Sequence, residues 1–153
     1  METSTFEQVK EFHDVFGHAN PGALAEPDAD SIKLRLKLIL EEFIELVEAT
    51  TADTMASFSV KTLLGEADGF IDRLSDVDID INHVEIADAL GDIKYVTDGA
   101  AIVYGIPLDK VSAEIHRSNM SKLGADGQPL YREDGKVLKG PDYTPPDIAS
   151  ILG

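Results

Sequence analysis

The chain has 153 residues, 43% of them hydrophobic, and carries a formal charge of −16 from 29 acids against 13 Lys and Arg. That is enough for a single globular domain over residues 1–153 rather than a disordered chain, and its negative field opposes nonspecific binding to nucleic acid or to an anionic membrane. With no cysteine there is no disulfide framework, thiolate metal site or thiol nucleophile, and with no run of about 18 apolar residues and no signal-peptide pattern a cytoplasmic protein is expected.

Phe6, Val9, Phe12 and Phe16 recur at helical spacing and predict a core-facing helix over residues 4–16, closed by Gly17. His13 and His18 show no metal-pair spacing. Residues 19–30, with Pro21, Gly22 and Pro27, read as a loop. Asp30 or Ser31 can cap the next helix, which runs to about residue 51.

That helix carries Glu41, Glu42, Glu45 and Glu48 among apolar residues. Spacings of three and four put Glu41, Glu45 and Glu48 in one stripe, with Glu42 beside it. Like charges so placed repel, and a divalent cation is the natural partner, because hard cations take carboxylate oxygens. A lone EExxE is more often a solvated acidic face. Here Leu34 and Leu38 lie upstream on the same face, and Ile32, Leu36, Ile39, Phe43 and Leu46 occupy the opposite one. The first half of the helix is therefore apolar nearly all round, as a buried helix is.

About thirty residues separate this helix from the next strong one, too many for a coil inside a compact domain. Val60, Leu63, Leu64, Ala67, Ile71 and Leu74 have helical spacing, and Ser59 can cap them. Asp76-Val77-Asp78-Ile79-Asp80 starts like a calcium loop. It fails the test, because Ile81 stands where Gly is needed and Ala87 where Glu is needed. It reads as a loop with solvated acids.

Asn82 with Glu85 resembles a capping box, and the helix after it runs to about residue 104, where Gly105 stops it. Ile86, Leu90, Ile93, Val96 and Ala100 can form its packed side. Glu85, Asp88 and Asp92 share one face. Glu85 is equally well explained as a cap. Asp88 and Asp92 are harder to dismiss, since Asp is a poor mid-helix residue. Pro107 starts another helix to about residue 120. The remainder is polar and Gly-rich, with either a hairpin around Asp134-Gly135 or an irregular arm over residues 131–138. Pro146 can open a last short helix. Arg117, Lys122, Arg132, Lys136 and Lys139 concentrate five of the 13 bases in this segment.

Two helices with carboxylates on one face can bring their acids together. Such a cluster requires cations, and with Mg²⁺ it suits phosphoryl chemistry, with C-terminal bases on the distal phosphates. The sequence has no GxxxxGK[ST] loop, no GxGxxG, no GxSxG and no HExxH. Carboxylate–metal hydrolysis is the site chemistry that survives.

Glu41-Glu42-Phe43-Ile44-Glu45, followed by a helix with Asp88 and Asp92, resembles the EExxE…ExxD signature of the all-α nucleotide pyrophosphohydrolases. That group includes MazG, the dimeric dUTPases and phosphoribosyl-ATP pyrophosphohydrolase. Asp92-Ile93-Lys94-Tyr95-Val96, Gly99, Gly105-Ile106, His116-Arg117-Ser118-Asn119-Met120-Ser121-Lys122, Asp134 through Pro141 and Pro145-Pro146 resemble a MazG-like branch of it. Together these cover most of residues 32–150. The resemblance implies an all-α helical bundle with a mostly irregular C-terminal arm, assembled as a homodimer or dimer of dimers. It implies Mg²⁺-dependent hydrolysis of a nucleoside triphosphate to the monophosphate and pyrophosphate, with Mn²⁺ as a substitute ion. Carried over by motif, Glu42, Glu45 and Asp92 are metal ligands, and Glu41 is a further ligand or the water-activating base. Asn119, Lys122, Lys136 and Lys139 meet base, sugar or phosphates, and Tyr95 lines the base pocket or simply packs. The ExxD fits Glu85 and Asp88 by spelling, whereas the DxxYV pattern aligns Asp92. The ligands from this helix therefore stay open among Glu85, Asp88 and Asp92. The 52–81 segment departs from the pattern, as a lid or a dimer contact. The expected function is a house-cleaning pyrophosphohydrolase acting on dUTP or another deoxynucleotide. The alternatives are phosphoribosyl-ATP hydrolysis and a catalytically silent metal-binding helical dimer.

Overall fold

The computed structural model describes residues 3–50, 55–74, 81–132 and 137–153, without the side chains of Glu48, Thr50 and residues 55–61. It is all-α, with helices α1 (Thr5–Val15), α2 (Ala29–Thr50), α3 (Met55–Asp72), α4 (His83–Tyr104), α5 (Leu108–Met120) and α6 (Ile148–Leu152). Among the described residues the one departure is an isolated antiparallel bridge between Tyr131 and Val137. No described helix is long and apolar enough to cross a membrane. The chain divides into two compact units, Leu24–Ile86 and the pair Met1–Ala23 with Ala87–Gly153.

Local chemistry sets the helix ends. Ser4 caps α1 by accepting from the Glu7 N–H at 3.3 Å. Gly17 follows α1 at φ +60°, a conformation that disfavours other residues. Asp28 starts α2 by accepting from the Ser31 N–H at 2.7 Å, rather than Asp30 or Ser31. That hydrogen bond also holds the Asp28 carboxyl below its ordinary range. Asn82 Oδ1 accepts from the N–H groups of Val84 and Glu85 at the start of α4, and Gly105 ends it at φ +68°. Pro107 is the N-cap of α5 and Asp147 that of α6. α3 begins at Met55, so Ser59 is an interior residue and not the cap. The Asp76–Asp80 run lies outside the described residues.

In the Leu24–Ile86 unit α2 packs on α3. From Leu34 on, the less exposed described positions of α2 are Lys37, Leu40, Ile44 and Val47, the alternating three-and-four spacing of a two-helix seam. Of the two faces expected from the sequence, Leu34 and Leu38 on one and Leu36, Ile39, Phe43 and Leu46 on the other are exposed, and Ile32 is half-buried. One neighbouring helix covers one stripe, so a helix apolar on all sides keeps the remainder bare. Lys37 Nζ sits 2.7 Å from Asp72 and 3.3 Å from Asp68, tying α2 to α3. Much of the departing 52–81 segment is therefore a helix packed on α2.

In the second unit α1 packs on α5, and α5 on α6. Phe16, 1% exposed, stacks on Phe12 with ring centroids 4.3 Å apart. Val111 and Ala101 join it as buried hydrophobics. Phe6 and Val9 are exposed, so only the C-terminal half of α1 contributes the expected core. Tyr131 Oη donates to the Phe16 carbonyl at 2.6 Å, bringing the arm back to the end of α1. On the anticipated packed side of α4, Ile86, Leu90, Ile93 and Val96 are exposed, from 43% at Ile93 to 64% at Val96, and Ala100 is half-buried.

Removing the Asp28 carboxylate leaves an α2 N–H without its acceptor. Asp28→Ala is expected to destabilise the fold, read as a lower urea midpoint with unchanged m-value. An unchanged midpoint would show that solvent caps α2 equally well.

Candidate active site

The predicted site residues fall into three groups. On α2, Glu41, Glu42 and Glu45 are all exposed. Among the described residues no basic side chain pairs with them, because Lys37, one turn earlier on the Glu41 stripe, is engaged by Asp68 and Asp72. Those hydrogen bonds, Asp72 foremost, raise the Lys37 pKa and keep it charged. Lys37 is not among the expected site residues, although its spacing of four to Glu41 is visible in the sequence.

On α4, Glu85, Asp88 and Asp92 are likewise exposed. Asn82 serves as the cap of α4 through its own side chain. Among the described residues the Glu85 carboxylate makes no return hydrogen bond, so it is not consumed by a capping box. Lys94 pairs with Asp98 at 2.7 Å along the helix, which raises its pKa. Tyr95 is 80% exposed and so is not a packed tyrosine in this chain.

The third group lies around the C-terminal end of α5. Lys122 Nζ donates to Asn119 Oδ1 at 2.7 Å. The Gly140 N–H donates to the Lys122 carbonyl at 3.0 Å, which sets the backbone of Lys139 beside that of Lys122. The Lys139 ammonium lies over the Tyr143 ring, 4.4 Å from its centroid. Lys136 lies outside the described residues.

Arg117, Ser118 and Ser121 of the His116–Lys122 motif hold the arm, so Arg117, one of the C-terminal bases expected on the distal phosphates, is engaged here by Glu114. Arg117 donates to both oxygens of Glu114, at 2.8 and 2.6 Å, to Thr144 Oγ1 at 2.5 Å and to the Pro145 carbonyl at 3.1 Å. Ser118, 3% exposed, donates to the Thr144 carbonyl at 2.9 Å. Ser121 Oγ accepts from the Thr144 N–H at 3.0 Å. Glu114 also accepts from the Asp147 N–H at 2.8 Å. The Arg117 guanidinium, aided by that N–H, pushes the Glu114 carboxyl down to about 2.

A Mg²⁺ ion calls for hard oxygen donors, and the unpaired carboxylates of α2 and α4 are donors of that type. Within each unit, no three described His, Asp or Glu side chains converge to hold a metal. The donor chemistry fits the ion. A cleft of about 1120 Å³ in the second unit, lined by Gln8, Asp98, Ala101, Ile106, Lys110 and Arg117 among others, includes none of the predicted site residues.

Six helices among the described residues, with an EExxE helix, a second acid-bearing helix and a basic arm, make the architecture of an all-α nucleotide pyrophosphohydrolase. A crystal structure of a proposed NTP pyrophosphohydrolase from Exiguobacterium sp. 255-15 superposes with a TM-score of 0.80, at 24% identity, over 99% of this chain and 95% of that one. An uncharacterized protein of Acanthamoeba polyphaga mimivirus is 29% identical over 142 residues, covering 90% of this chain and 43% of the relative. The chain thus spans less than half the length of that relative. Residues 9–119 match the phosphoribosyl-ATP pyrophosphohydrolase family, and the chain belongs to it.

Glu114 has its folded pKa below the ordinary 4.5. Its charge therefore contributes fully to arm docking above about pH 4.5, and that contribution is lost as pH falls toward about 2. Amide protection factors at Thr144 and Asp147 are expected to fall across this window. In Glu114→Gln that acid-dependent loss should be absent, and an identical loss in the variant would assign it to another group.

Proposed function

We propose that this protein is a Mg²⁺-dependent nucleoside triphosphate pyrophosphohydrolase. Water attacks the α-phosphorus, the bond from that atom to the α,β-bridging oxygen breaks, and the monophosphate and pyrophosphate leave. The observation that carries the reading is the α2 stripe. Glu41, Glu42 and Glu45 are exposed, of one charge and without a basic partner among the described residues. Such a stripe costs helix stability unless cations reside there. Membership of a pyrophosphohydrolase family supplies the reaction class.

Glu42, Glu45 and Asp92 are the ligands the motifs assign, with Glu85 and Asp88 as the other candidates on α4. When bound, Mg²⁺ (or Mn²⁺) neutralises phosphate oxygens and lowers the pKa of an adjacent water. Glu41 is a further ligand or takes the proton of the attacking water. Asn119, Lys122 and Lys139 bind the nucleotide and its phosphates, with Lys136 assigned by motif alone. Tyr95 offers its exposed ring to a base. The bare apolar side of α4 supports a homodimer or dimer of dimers, since a soluble chain seldom leaves such a stripe uncovered. dUTP or another deoxynucleotide is the first substrate class to test. The family match favours phosphoribosyl-ATP as the second reading.

Released pyrophosphate and orthophosphate are to be measured separately across the deoxynucleotides, the ribonucleotides and phosphoribosyl-ATP, with and without Mg²⁺. Mg²⁺-dependent pyrophosphate is expected. Orthophosphate would move the cut to an outer phosphate, and metal binding without turnover would make the protein a silent scaffold. Glu42→Gln and Asp92→Asn are each expected to abolish turnover while leaving the helical circular-dichroism signal unchanged. Near-normal activity in both would remove these residues from the ligand set.

A further inference from the structure

Thr144 is gripped at every polar group it has. Its N–H donates to Ser121 Oγ, its carbonyl accepts from Ser118 Oγ, and its hydroxyl accepts from Arg117. All three partners lie at the C-terminal end of α5. Ser118 is the buried polar residue among those described, and its hydroxyl serves this contact. Four residues up the chain the arm touches down again at Gly140. There the backbone passes so close to residue 123 that an added Cβ would lie 1.8 Å from the Leu123 carbonyl oxygen. Only glycine fits that approach. The two touch-downs bracket Tyr143, and Lys139 directly precedes the first of them.

From these contacts we propose that Arg117, Ser118 and Gly140 are positioning residues. They seat the arm on α5 so that Lys139 and Lys122 act on the triphosphate as one fixed pair. The proposal rests on the reading above that these lysines bind phosphates. A lysine on a loose segment must lose its freedom on each binding event, whereas a seated one has lost it on folding. The seat therefore governs substrate affinity, and the step at the α-phosphorus is left to the carboxylates.

The test is a double-mutant cycle between Gly140→Ala and Lys139→Ala in the full-length chain, with dUTP and Mg²⁺. Hydrogen exchange over residues 138–147 reports the seat independently of activity. Gly140→Ala is expected to lower protection there at least about tenfold and to raise KM about tenfold, with kcat within about twofold. Lys139→Ala is expected to raise KM about tenfold alone and less than about twofold in the Gly140→Ala background. Freed arm amides with an unchanged KM, or effects that multiply, would overturn the proposal. So would full protection in the Gly140→Ala variant. If that variant does not fold, Thr144→Val removes the hydroxyl contact from the arm side and leaves α5 intact, with the same expectations at smaller amplitude. The same cycle, run as affinity for the non-hydrolysable α,β-imido-dUTP, separates the two readings. Seat-dependent binding without turnover would retire the hydrolase and keep the seat. A wild-type protein that binds no triphosphate overturns both.

Discussion

A 22-residue helix has more apolar flank than one neighbour can cover, and this chain builds two of them, α2 and α4. α3 covers the Lys37, Leu40, Ile44 and Val47 stripe of α2, and the remaining leucines, Ile39 and Phe43 stay in water. Along α4 the stripe from Ile86 to Val96 stays in water as well. Interior packing supplies most of the stability of a helix in a protein. Helices left so bare draw less than usual from their own chain. Capping, hydrogen bonds and ion pairs carry more of the local order here, and that is why single residues such as Asp28, Lys37 and Arg117 stand out.

With 29 acids against 13 Lys and Arg, the placement of bases is informative. Lys37, Lys94 and Arg117 are each committed to an acid or a pair of acids. The carboxylates at Glu41, Glu42, Glu45, Asp88 and Asp92 are not among the acids so neutralised. Lys122 and Lys139 are engaged instead by neutral groups, the Asn119 amide and the Tyr143 ring. Their charge remains available to an anionic ligand. The residues that the motifs assign to metal and phosphate are thus, among the described residues, acids without a cation and cations without an anion.

Most helix boundaries were legible because their signals are local. Ser4, Asn82, Gly105 and Pro107 act within one turn of where they stand in the chain. The start of α2 was misplaced because Asp28, Asp30 and Ser31 all carry capping side chains, and sequence alone does not choose among them. The covered seam of α2 was illegible for the opposite reason. When nearly every position is apolar, periodicity does not mark a face. The arm contacts were beyond reach because Arg117 and Thr144 are 27 residues apart and the sequence between them has no repeating pattern. The carboxylates were legible as a motif, since charge among apolar residues is visible in one dimension. Their arrangement in space was not.

The two compact units differ in how they are written along the chain. Residues 24–86 are contiguous, whereas their companion joins residues 1–23 to residues 87–153. During synthesis the contiguous unit is complete once residue 86 has cleared the ribosome. The first helix must wait longer. Its partner α5 follows some ninety residues later, and the hydrogen bond from Tyr131 to the Phe16 carbonyl closes a span of 115 residues. Closing such a span costs chain entropy that grows only slowly with length, so the delay is one of order rather than of energy. Until then Phe12 and Phe16 remain in water on the nascent chain, and the interval in which the polypeptide is most open to aggregation or to chaperones ends when the arm arrives.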